Sequence, residues 1–511
     1  MRNKVLLRAV VTVVALATML TMPASGQVKT PSMYIVPPTR NPLGQPFLGP
    51  EGWPREDMMV PAPPLSPEDQ VYADLDGVRM KRWVEEIANI SRKDRDMGTV
   101  YWGRNFGTPG HAMAEDWTEA HFKRLGMVDI HRDVVGSPRP MWTPKSYEIN
   151  FATGGMTFKL PSARPSQSTS AEIDAELVWV GEGTAADFLD RDVKGKAVLI
   201  QDIPLPGDIN HTANREGAIK RAYDNGAAAV GLVFGVADNL ALWQSTDGKP
   251  GFNLGFRDAA RLREMLGKGQ SVRLKYKLDA EFKSDLKSAS VLGTLPGTTD
   301  EKIIIVAHID GYFESALDNA SGMAMMMEMA EHYAKIPQAQ RRRSIVFVGS
   351  VGHHGGPGTR NLHEKMDWPK VAYVINLEHV AVNRTELWGR SMRMSTGPAP
   401  LRWTMNASPA AFKVMAEGLK RFNVPGDAEI DGVVGEISAI LQDAPSLTLI
   451  TSPEVKHTEQ DTPEWVPAAG LISVARAHSW ILDNINKMDR KDIIFPTWPP
   501  APAGAAGPVG D

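Results

Sequence analysis

The second half of the chain alternates short apolar runs with longer amphipathic segments. Runs rich in Ile, Val and Leu are typical of buried strands, whereas apolar residues three or four positions apart are typical of helices. The strands predicted in this way are Ile303–Ala307, Ser344–Gly349, Val371–Leu377 and Ser446–Ile450, and the helices are Gly322–Lys335, Ala410–Phe422 and Ala468–Asn486. This alternation predicts an α/β fold with a mixed, mainly parallel sheet that helices cover on both faces.

The first half of the chain has a different pattern. Residues 76–126 have helical spacing, with a Gly/Pro break at 107–110. After about Ala175, short strand-like runs follow one another closely, at 177–180, 196–200 and 229–234. Closely spaced runs of this kind indicate a compact β-rich insertion into the α/β fold.

These patterns divide the chain into six segments. They are a signal peptide (1–26), a Pro-rich extended arm (27–70), the first part of the main domain (71–165), the β-rich insertion (166–288), the rest of the main domain (289–490) and a disordered tail (491–511). The tail is expected to lack fixed structure because its Pro, Gly and Ala residues supply little apolar surface to bury.

The composition is that of an ordinary globular protein. The chain has 511 residues, of which 42% are hydrophobic and 23% charged, and this length suffices for two or three domains. A formal net charge of −4 gives no reason to expect nucleic acid as a partner. The chain has no cysteine, so no disulfide stabilises it.

The N-terminus has the pattern of a secretory signal peptide. Arg2 and Lys4 precede the apolar stretch Val5–Met22, and Ala24-Ser25-Gly26 offers small residues for cleavage. An uncleaved membrane anchor is the alternative, because the stretch is nearly long enough to span a bilayer. Arg8 inside the stretch and the small residues after it favour cleavage. We therefore expect a periplasmic or secreted protein with no membrane contact after cleavage.

The most informative motif follows the predicted strand 303–307. His308 and Asp310 lie at the end of this strand, and Asp318 follows ten residues after His308, in Asp318-Asn319-Ala320-Ser321-Gly322. In open α/β sheets, ligands bind beyond the carboxyl ends of the strands. Imidazole and carboxylate groups that converge there indicate a divalent-metal site.

Four more candidate ligands lie just past other predicted strand ends. His353 and His354 follow the strand 344–349, Glu378 ends the strand 371–377, and His457 follows the strand 446–450. Because the carboxyl ends of parallel strands meet at one edge of a sheet, these side chains are expected to share one site.

At these motifs the chain resembles the M28 family of zinc aminopeptidases and carboxypeptidases. The resemblance rests on Ala307-His308-Ile309-Asp310, Asp318-Asn319-Ala320-Ser321-Gly322, Asn376-Leu377-Glu378 and His457-Thr458 with Asp461-Thr462, in this order, and covers most of residues 75–487. The segment from about 175 to 285 resembles the protease-associated domain of many members. The resemblance implies a zinc-exopeptidase-like peptidase domain interrupted by a protease-associated domain.

The resemblance also implies a site with one or two Zn²⁺ ions. His308 would bind the first zinc, with Asp310 orienting its ring. Asp318 would bridge both metals, Glu378 would complete the first zinc, and His457 would bind the second.

The chain departs from the family after the strand 344–349. There the family carries two adjacent Glu residues, the first a general base and the second a ligand of the second zinc. The register without a gap before the motif, which we favour, places His353 at the base and His354 at the ligand position. A slip of one residue would instead place Gly352 at the base and His353 at the ligand position. Fewer carboxylates are expected to weaken the second metal or to favour one ion.

Other residues near these motifs are expected to have ordinary roles. Strand alternation points His379 away from the side of Glu378, and Asp461 is expected to cap the turn after His457. The Met-rich run 323–329 is expected to pack in the core. Glu436 lies where the family often has an acidic specificity residue, but a surface carboxylate is the default interpretation.

The sequence therefore favours a secreted metal-dependent exopeptidase, with aminopeptidase as the commonest family activity and a peptide or another amide as substrate. The alternative is a catalytically impaired homologue that binds peptide or metal without efficient cleavage. A scaffold that only presents the insertion to partners is a third interpretation. The oligomeric state stays open.

Overall fold

A computed structural model describes residues 63–205, 208–353, 356–388, 391–398, 401–405, 407–424, 426–429, 437, 439–440, 443–450 and 454–494. The predicted signal peptide, most of the Pro-rich arm, His354, Glu436 and the tail beyond residue 494 lie outside this part of the chain. No helix within these ranges is both long enough and apolar enough to cross a membrane.

The described helices include the predicted ones and several more. They are α1 (Gly77–Asp96), α2 (Pro109–Arg124), α3 (Arg215–Asp224), α4 (Phe256–Gly267), α5 (Gly322–Ala334), α6 (Pro357–Lys365), α7 (Pro409–Arg421), α8 (Ala468–Lys487) and the single turn α9 (Arg490–Ile493). Short 3₁₀ turns are described at Pro67–Tyr72, Ala186–Phe188, Gln338–Gln340, Trp368–Lys370 and Pro463–Trp465.

The described strands form two large sheets and two short hairpins. The strands are β1 (Val128–Gly136), β2 (Met141–Thr153), β3 (Met156–Phe158), β4 (Arg164–Pro165), β5 (Ala171–Trp179), β6 (Ala197–Gln201), β7 (Pro204–Leu205), β8 (Asp208–Thr212), β9 (Ala229–Val233), β10 (Gly251–Leu254), β11 (Arg273–Lys283), β12 (Lys287–Leu295), β13 (Lys302–His308), β14 (Ser344–Ser350), β15 (Val371–Leu377), β16 (Asn383–Trp388), β17 (Ser391–Pro398), β18 (Leu401–Met405), β19 (Gly426–Glu429) and β20 (Ser446–Ile450).

The main sheet has eight strands in the order β1-β12-β14-β13-β15-β20-β18-β19. The central strands β14, β13, β15 and β20 are parallel. Strand β12 pairs antiparallel with β1 and β14, whereas β18 is antiparallel to β20 and parallel to β19. The central strands are buried almost throughout, because helices cover both faces. The expected mixed, mainly parallel α/β sheet is confirmed, and its parallel strands end along one edge.

The Met-rich run forms part of the core, as expected. Met323, Met325, Met326, Met327 and Met329 on α5 are each at most 2% exposed and pack with the apolar residues of β13 and β15. The run fills space between sheet and helices, which flexible thioether side chains do well.

A second eight-stranded sheet lies between β1 and β12 in the sequence, with the order β3-β2-β11-β5-β6-β9-β10-β4. We call residues 141–283 the second module. Its sheet has its own buried apolar cluster on each face, one including Phe151 and Leu274 and the other including Val198 and Ile219. The second module corresponds to the β-rich insertion expected from the sequence.

The second module begins earlier than the expected boundary at residue 166. Strands β2, β3 and β4, within the segment 71–165 that we assigned to the main domain, belong to the second sheet. The reason is the antiparallel pairing of β2 with β11, from Ala152 opposite Arg273 to Met141 opposite Lys283. Partners so distant in the sequence leave no local pattern that marks where the module starts.

Candidate metal centre

The end of β13 delivers His308 to the carboxyl edge of the main sheet. His308 is 1% exposed, and its Nδ1 lies 2.9 Å from the backbone oxygen of Asp310. The Asp310 carboxylate is farther, with Oδ1 at 3.5 Å from Nδ1, and this oxygen accepts a hydrogen bond from Gly352 N at 2.8 Å. The backbone carbonyl of Asp310, rather than its predicted carboxylate, is therefore the nearer partner of the His308 ring.

The segment Ala316–Ser321 places Asp318 beside His308. Asp461 holds this segment, because its Oδ1 accepts from Leu317 N at 2.8 Å and its Oδ2 from Asp318 N at 3.1 Å. Burial raises the pKa of the Asp461 carboxyl to about 7. We expected Asp461 only to cap the turn after His457. Its carboxylate also holds the backbone of Leu317 and Asp318 on the other side of the site.

Asn319 connects the Asp318 segment to the end of β15. Its Nδ2 donates to Leu377 O at 2.7 Å, while its Oδ1 accepts from Gly322 N at 3.0 Å and from His379 N at 3.3 Å. One buried amide therefore fixes two neighbouring segments of the site in a single arrangement.

Four imidazole groups surround the Asp318 carboxylate. The Nε2 atoms of His308 and His353 each lie 3.0 Å from Oδ1, and that of His379 lies 2.8 Å from Oδ1. The Nε2 atom of His457 lies 2.9 Å from Oδ2. Histidines that lie at or after the carboxyl ends of four strands thus converge on one carboxylate.

The position of His379 corrects our expectation that its side chain points away from the site. The residue follows the last residue of β15 by two positions and has a φ of 47°, in the left-handed region. Strand alternation no longer applies after such a turn, so the imidazole reaches Asp318. No local pattern marks this turn, since the left-handed conformation is uncommon for residues other than Gly.

His353 lies where a ligand would lie. In the first group, His308, Asp318 and His379 each offer an atom within 4.8 Å of the other two. In the second group, His353, Asp318 and His457 do the same. His308, Asp310 and His353 meet the same criterion. The register that we favoured, with His353 as the base and His354 as the ligand, stays a prediction, because His354 lies outside the described residues.

Glu378 is buried at the side of the first group. Its Oε1 lies 3.6 Å from His308 Nε2, and its Oε2 accepts from Asn376 Nδ2 at 3.3 Å. Glu378 therefore lies close to the first group, whereas His379, which we did not expect in the site, contacts Asp318 directly.

Burial and neighbouring charges set the protonation states of the candidate ligands. Burial lowers the pKa of His379 to about 4 and of His457 to about 3, so both imidazoles are neutral at pH 7. Burial opposes ionisation of Asp318, but the neighbouring His353 and His379 hold the pKa of its carboxyl well below the usual value. Neutral imidazoles and an ionised carboxylate are the forms that bind zinc.

The donor set fits a divalent metal. Asp318 Oδ2 and His457 Nε2 face each other at 2.9 Å, yet neither buried atom makes a well-oriented hydrogen bond within the described part of the chain. Buried polar atoms are ordinarily hydrogen-bonded, and metal coordination is a common reason for an exception. Imidazole nitrogen and carboxylate oxygen are both zinc ligands.

Arg104, which the sequence analysis did not identify, holds the backbone between His308 and Asp318. Its guanidinium is fully buried and donates to Ile309 O at 2.9 Å, Ser91 Oγ at 2.7 Å, Glu314 O at 3.0 Å and Ser315 O at 3.1 Å. Burial lowers its pKa to about 10, so it stays charged at pH 7. Arg104 therefore fixes the chain that connects His308 to Asp318.

Replacing Arg104 with Met is expected to destabilise the fold by about 3–5 kcal/mol, because buried carbonyl groups lose their donors and buried carboxylates lose a cation. Urea unfolding measures this change. Arg257→Met is the control, since Arg257 pairs with Asp238 at 2.8 Å on the surface and should cost at most about 1 kcal/mol. Equal losses in both variants would contradict the supporting role of Arg104.

These elements define an α/β fold of the zinc-exopeptidase type with a histidine-rich candidate metal centre. The model of Peptidase family M28 matches residues 290–477, which carry every described candidate ligand. The resemblance to this family recognised from the sequence is confirmed over these residues. No curated protein is similar to the chain in sequence.

Solved structures share the fold at low sequence identity. A Peptidase M28 precursor from Shewanella amazonensis has a TM-score of 0.62 at 17% identity, covering 83% of this chain and 100% of its own. A zinc aminopeptidase from Bacillus subtilis has 0.58 at 15% identity, covering 82% and 98%. An aminopeptidase from an Aneurinibacillus species has 0.53 at 19% identity, covering 83% and 96%. Identities this low support the fold alone.

Proposed function

We propose that this chain is a periplasmic or secreted metal-dependent exopeptidase, most closely an aminopeptidase acting on peptides or related amides. The observation that carries the proposal is the pair of ligand groups that share Asp318 at the carboxyl edge of the parallel strands. The signal-peptide pattern at residues 1–26 supports export. The second module is proposed to be a protease-associated domain.

Asp318 would be common to both metal positions. His308 and His379 would hold one ion, with Glu378 close by, and His353 and His457 would hold the other. The two groups together contain few carboxylates against two dications, so the second ion is expected to bind more weakly than the first. Zinc is proposed because it binds imidazole and carboxylate well.

A bound divalent ion would polarise the scissile carbonyl and make water more acidic. The residues of the chain supply orientation. Tyr312 stacks on His353 with ring centroids 5.2 Å apart at an interplanar angle of 6°, and it meets His457 edge-on at 5.1 Å. Tyr312 thus limits the rotation of two imidazoles and forms an aromatic wall beside the site.

A second candidate function is binding of metal or peptide without efficient cleavage. The observation that favours it lies at Gly352, the position of the general base in the slipped register. Gly352 has no side chain to accept a proton, and its N–H donates to Asp310. His353 then serves as a ligand and is not free to act as the base that we predicted. Slow turnover is therefore expected even if metal binding is tight.

The wild-type protein is expected to retain zinc and to hydrolyse peptides with a free N-terminus slowly, and His308→Ala should lose the ion of the first group and abolish hydrolysis. The physical reason is that His308 belongs to the first ligand group and has no substitute there. Metal content per chain and hydrolysis of N-terminally free and blocked peptides are the measurements. His131→Ala, at an exposed position on β1, is the control. Retained zinc and activity in His308→Ala would refute the proposed centre.

A further inference from the structure

The loop that carries His457 contacts the second module as well as the main domain. We call residues 455–461 the His457 loop. Internal bonds close it into a turn, in which Thr458 N and Oγ both donate to Val455 O, at 3.1 and 2.7 Å. His457 itself has a φ of 60°, so the direction of its side chain depends on how the loop is held.

The strongest contact joins Glu459 of the loop to Arg164 on β4 of the second module. Arg164 Nε lies 2.5 Å from Glu459 Oε1 and Nη2 lies 2.7 Å from Oε2, a bidentate geometry. The Arg164 side chain is 16% exposed and that of Glu459 is 20% exposed. A pair this well shielded is more strongly coupled than an ion pair on the surface.

The second module fixes the Arg164 guanidinium before it meets the loop. Its Nη1 donates to Pro161 O at 2.8 Å and to Ala163 O at 2.9 Å. Strand β4 is in turn paired with β10, with Arg164 opposite Asn253. The guanidinium therefore presents a preorganised site to the carboxylate, and its position follows that of the second module.

Trp243 is a second donor to the same carboxylate. Its Nε1 donates to Glu459 Oε1 at 3.0 Å. The indole lies in an aromatic cluster with Tyr101, Trp142 and Tyr147, at centroid distances of 5.4, 6.0 and 5.4 Å. A ring packed in this way has little rotational freedom, so it restricts Glu459 further.

Backbone and apolar contacts complete the attachment. Glu459 N donates to Ala241 O at 3.2 Å, and Gln460 Oε1 accepts from Ala241 N at 2.9 Å. Beside these bonds, Val455 of the loop is buried with Leu240 and Leu242 of the second module. At its other end the loop supplies Asp461, which holds the backbone of Asp318. The loop therefore lies between the second module and the residue shared by both ligand groups.

We propose that Glu459, held by Arg164 and Trp243, is a positioning residue that fixes the His457 loop in its metal-binding geometry, so that the second module is a structural part of the metal centre. This inference rests on the metal centre of the proposed function. It makes the affinity of the ion at His353 and His457 depend on residues more than two hundred positions away in the sequence.

The test uses Glu459→Gln, Arg164→Met and the double variant in the full-length chain. Arg273→Met is the matched control, because Arg273 pairs with Asp174 at 2.8 Å on the exposed surface of the same module. Hydrogen exchange of the His457 loop in the metal-free protein and titration with Co²⁺, followed by its visible absorption, are the measurements. Thermal unfolding of each variant accompanies them.

Both single variants are expected to raise exchange in the loop and to weaken one Co²⁺ equivalent by about 10- to 100-fold, the range found when partners of metal ligands are removed. The double variant should be no worse than the more affected single variant, because both residues act through one contact. Arg273→Met should behave as wild type. Unchanged exchange and affinity would overturn the proposal, as would a uniform rise in exchange over the whole second module.

The two proposals can fail separately. If the wild-type protein binds no Co²⁺ and no Zn²⁺, the proposed function fails. Exchange in the His457 loop then still decides the positioning role, since it is measured without metal. If wild type binds two ions and the variants lose neither, the positioning role fails while the proposed function stands.

Discussion

Asp318→Asn is expected to abolish tight metal binding at both ligand groups and to reduce peptide hydrolysis below detection. Each group includes the Asp318 carboxylate, and all four imidazoles lie within 3.0 Å of its oxygens. The amide has the same shape but no negative charge, so it offsets none of the charge of an incoming dication. Zinc content per chain and Co²⁺ titration measure the loss.

Asp258→Asn is the matched control for this prediction. Asp258 is 1% exposed in the second module and accepts from Ser162 N at 2.9 Å and Ser162 Oγ at 2.7 Å. Its replacement should lower stability without changing metal content. If Asp318→Asn retained two metal equivalents, the shared carboxylate would not be the centre of the site.

Gly352→Glu is expected to raise turnover by about 100- to 10 000-fold, the usual contribution of a general acid–base group. If His353 is a ligand together with Asp318 and His457, as proposed, position 352 is left for the base. A carboxylate there would accept a proton and become neutral, which two nearby dications favour over a protonated imidazole. The measurement is kcat on the best peptide of the panel.

Gly352→Gln has the same size as Gly352→Glu but cannot accept the proton, so it controls for changes in shape. Thermal unfolding shows whether either variant still folds. His353→Glu separates the two registers, since it should raise turnover only if His353 occupies the base position. A gain in His353→Glu and none in Gly352→Glu would restore the register that we first favoured.

The main sheet could be predicted from the sequence because its central strands are buried on both faces and carry uninterrupted apolar runs. Strand order then brought His308, Asp318, Glu378 and His457 to one edge. These residues could be identified as candidate ligands because each one's position relative to the end of a predicted strand can be read from the sequence.

The rest of the site depends on contacts that no local pattern encodes. His379 enters the site through a left-handed turn, and Arg104 supports it from a loop that precedes the second module. The register at His353 depends on how the chain turns after β14, which no local pattern in the sequence specifies. Arg164 and Glu459 are nearly three hundred residues apart, so their pairing becomes visible only in three dimensions.

The second module is connected to the main sheet through neighbouring strands. The chain leaves at Gly136 of β1 and returns at Lys287 of β12, which lie opposite each other in the antiparallel ladder, and Ser137 N bonds Leu286 O at 3.0 Å beside them. Entry and exit therefore form one narrow stalk, which a short hairpin turn could replace without disturbing the sheet. We expect a chain shortened in this way to keep its α/β core but to lose the contacts of Arg164 and Trp243 that hold the His457 loop. Removing the module would thus separate the ability to fold from the ability to hold a second ion.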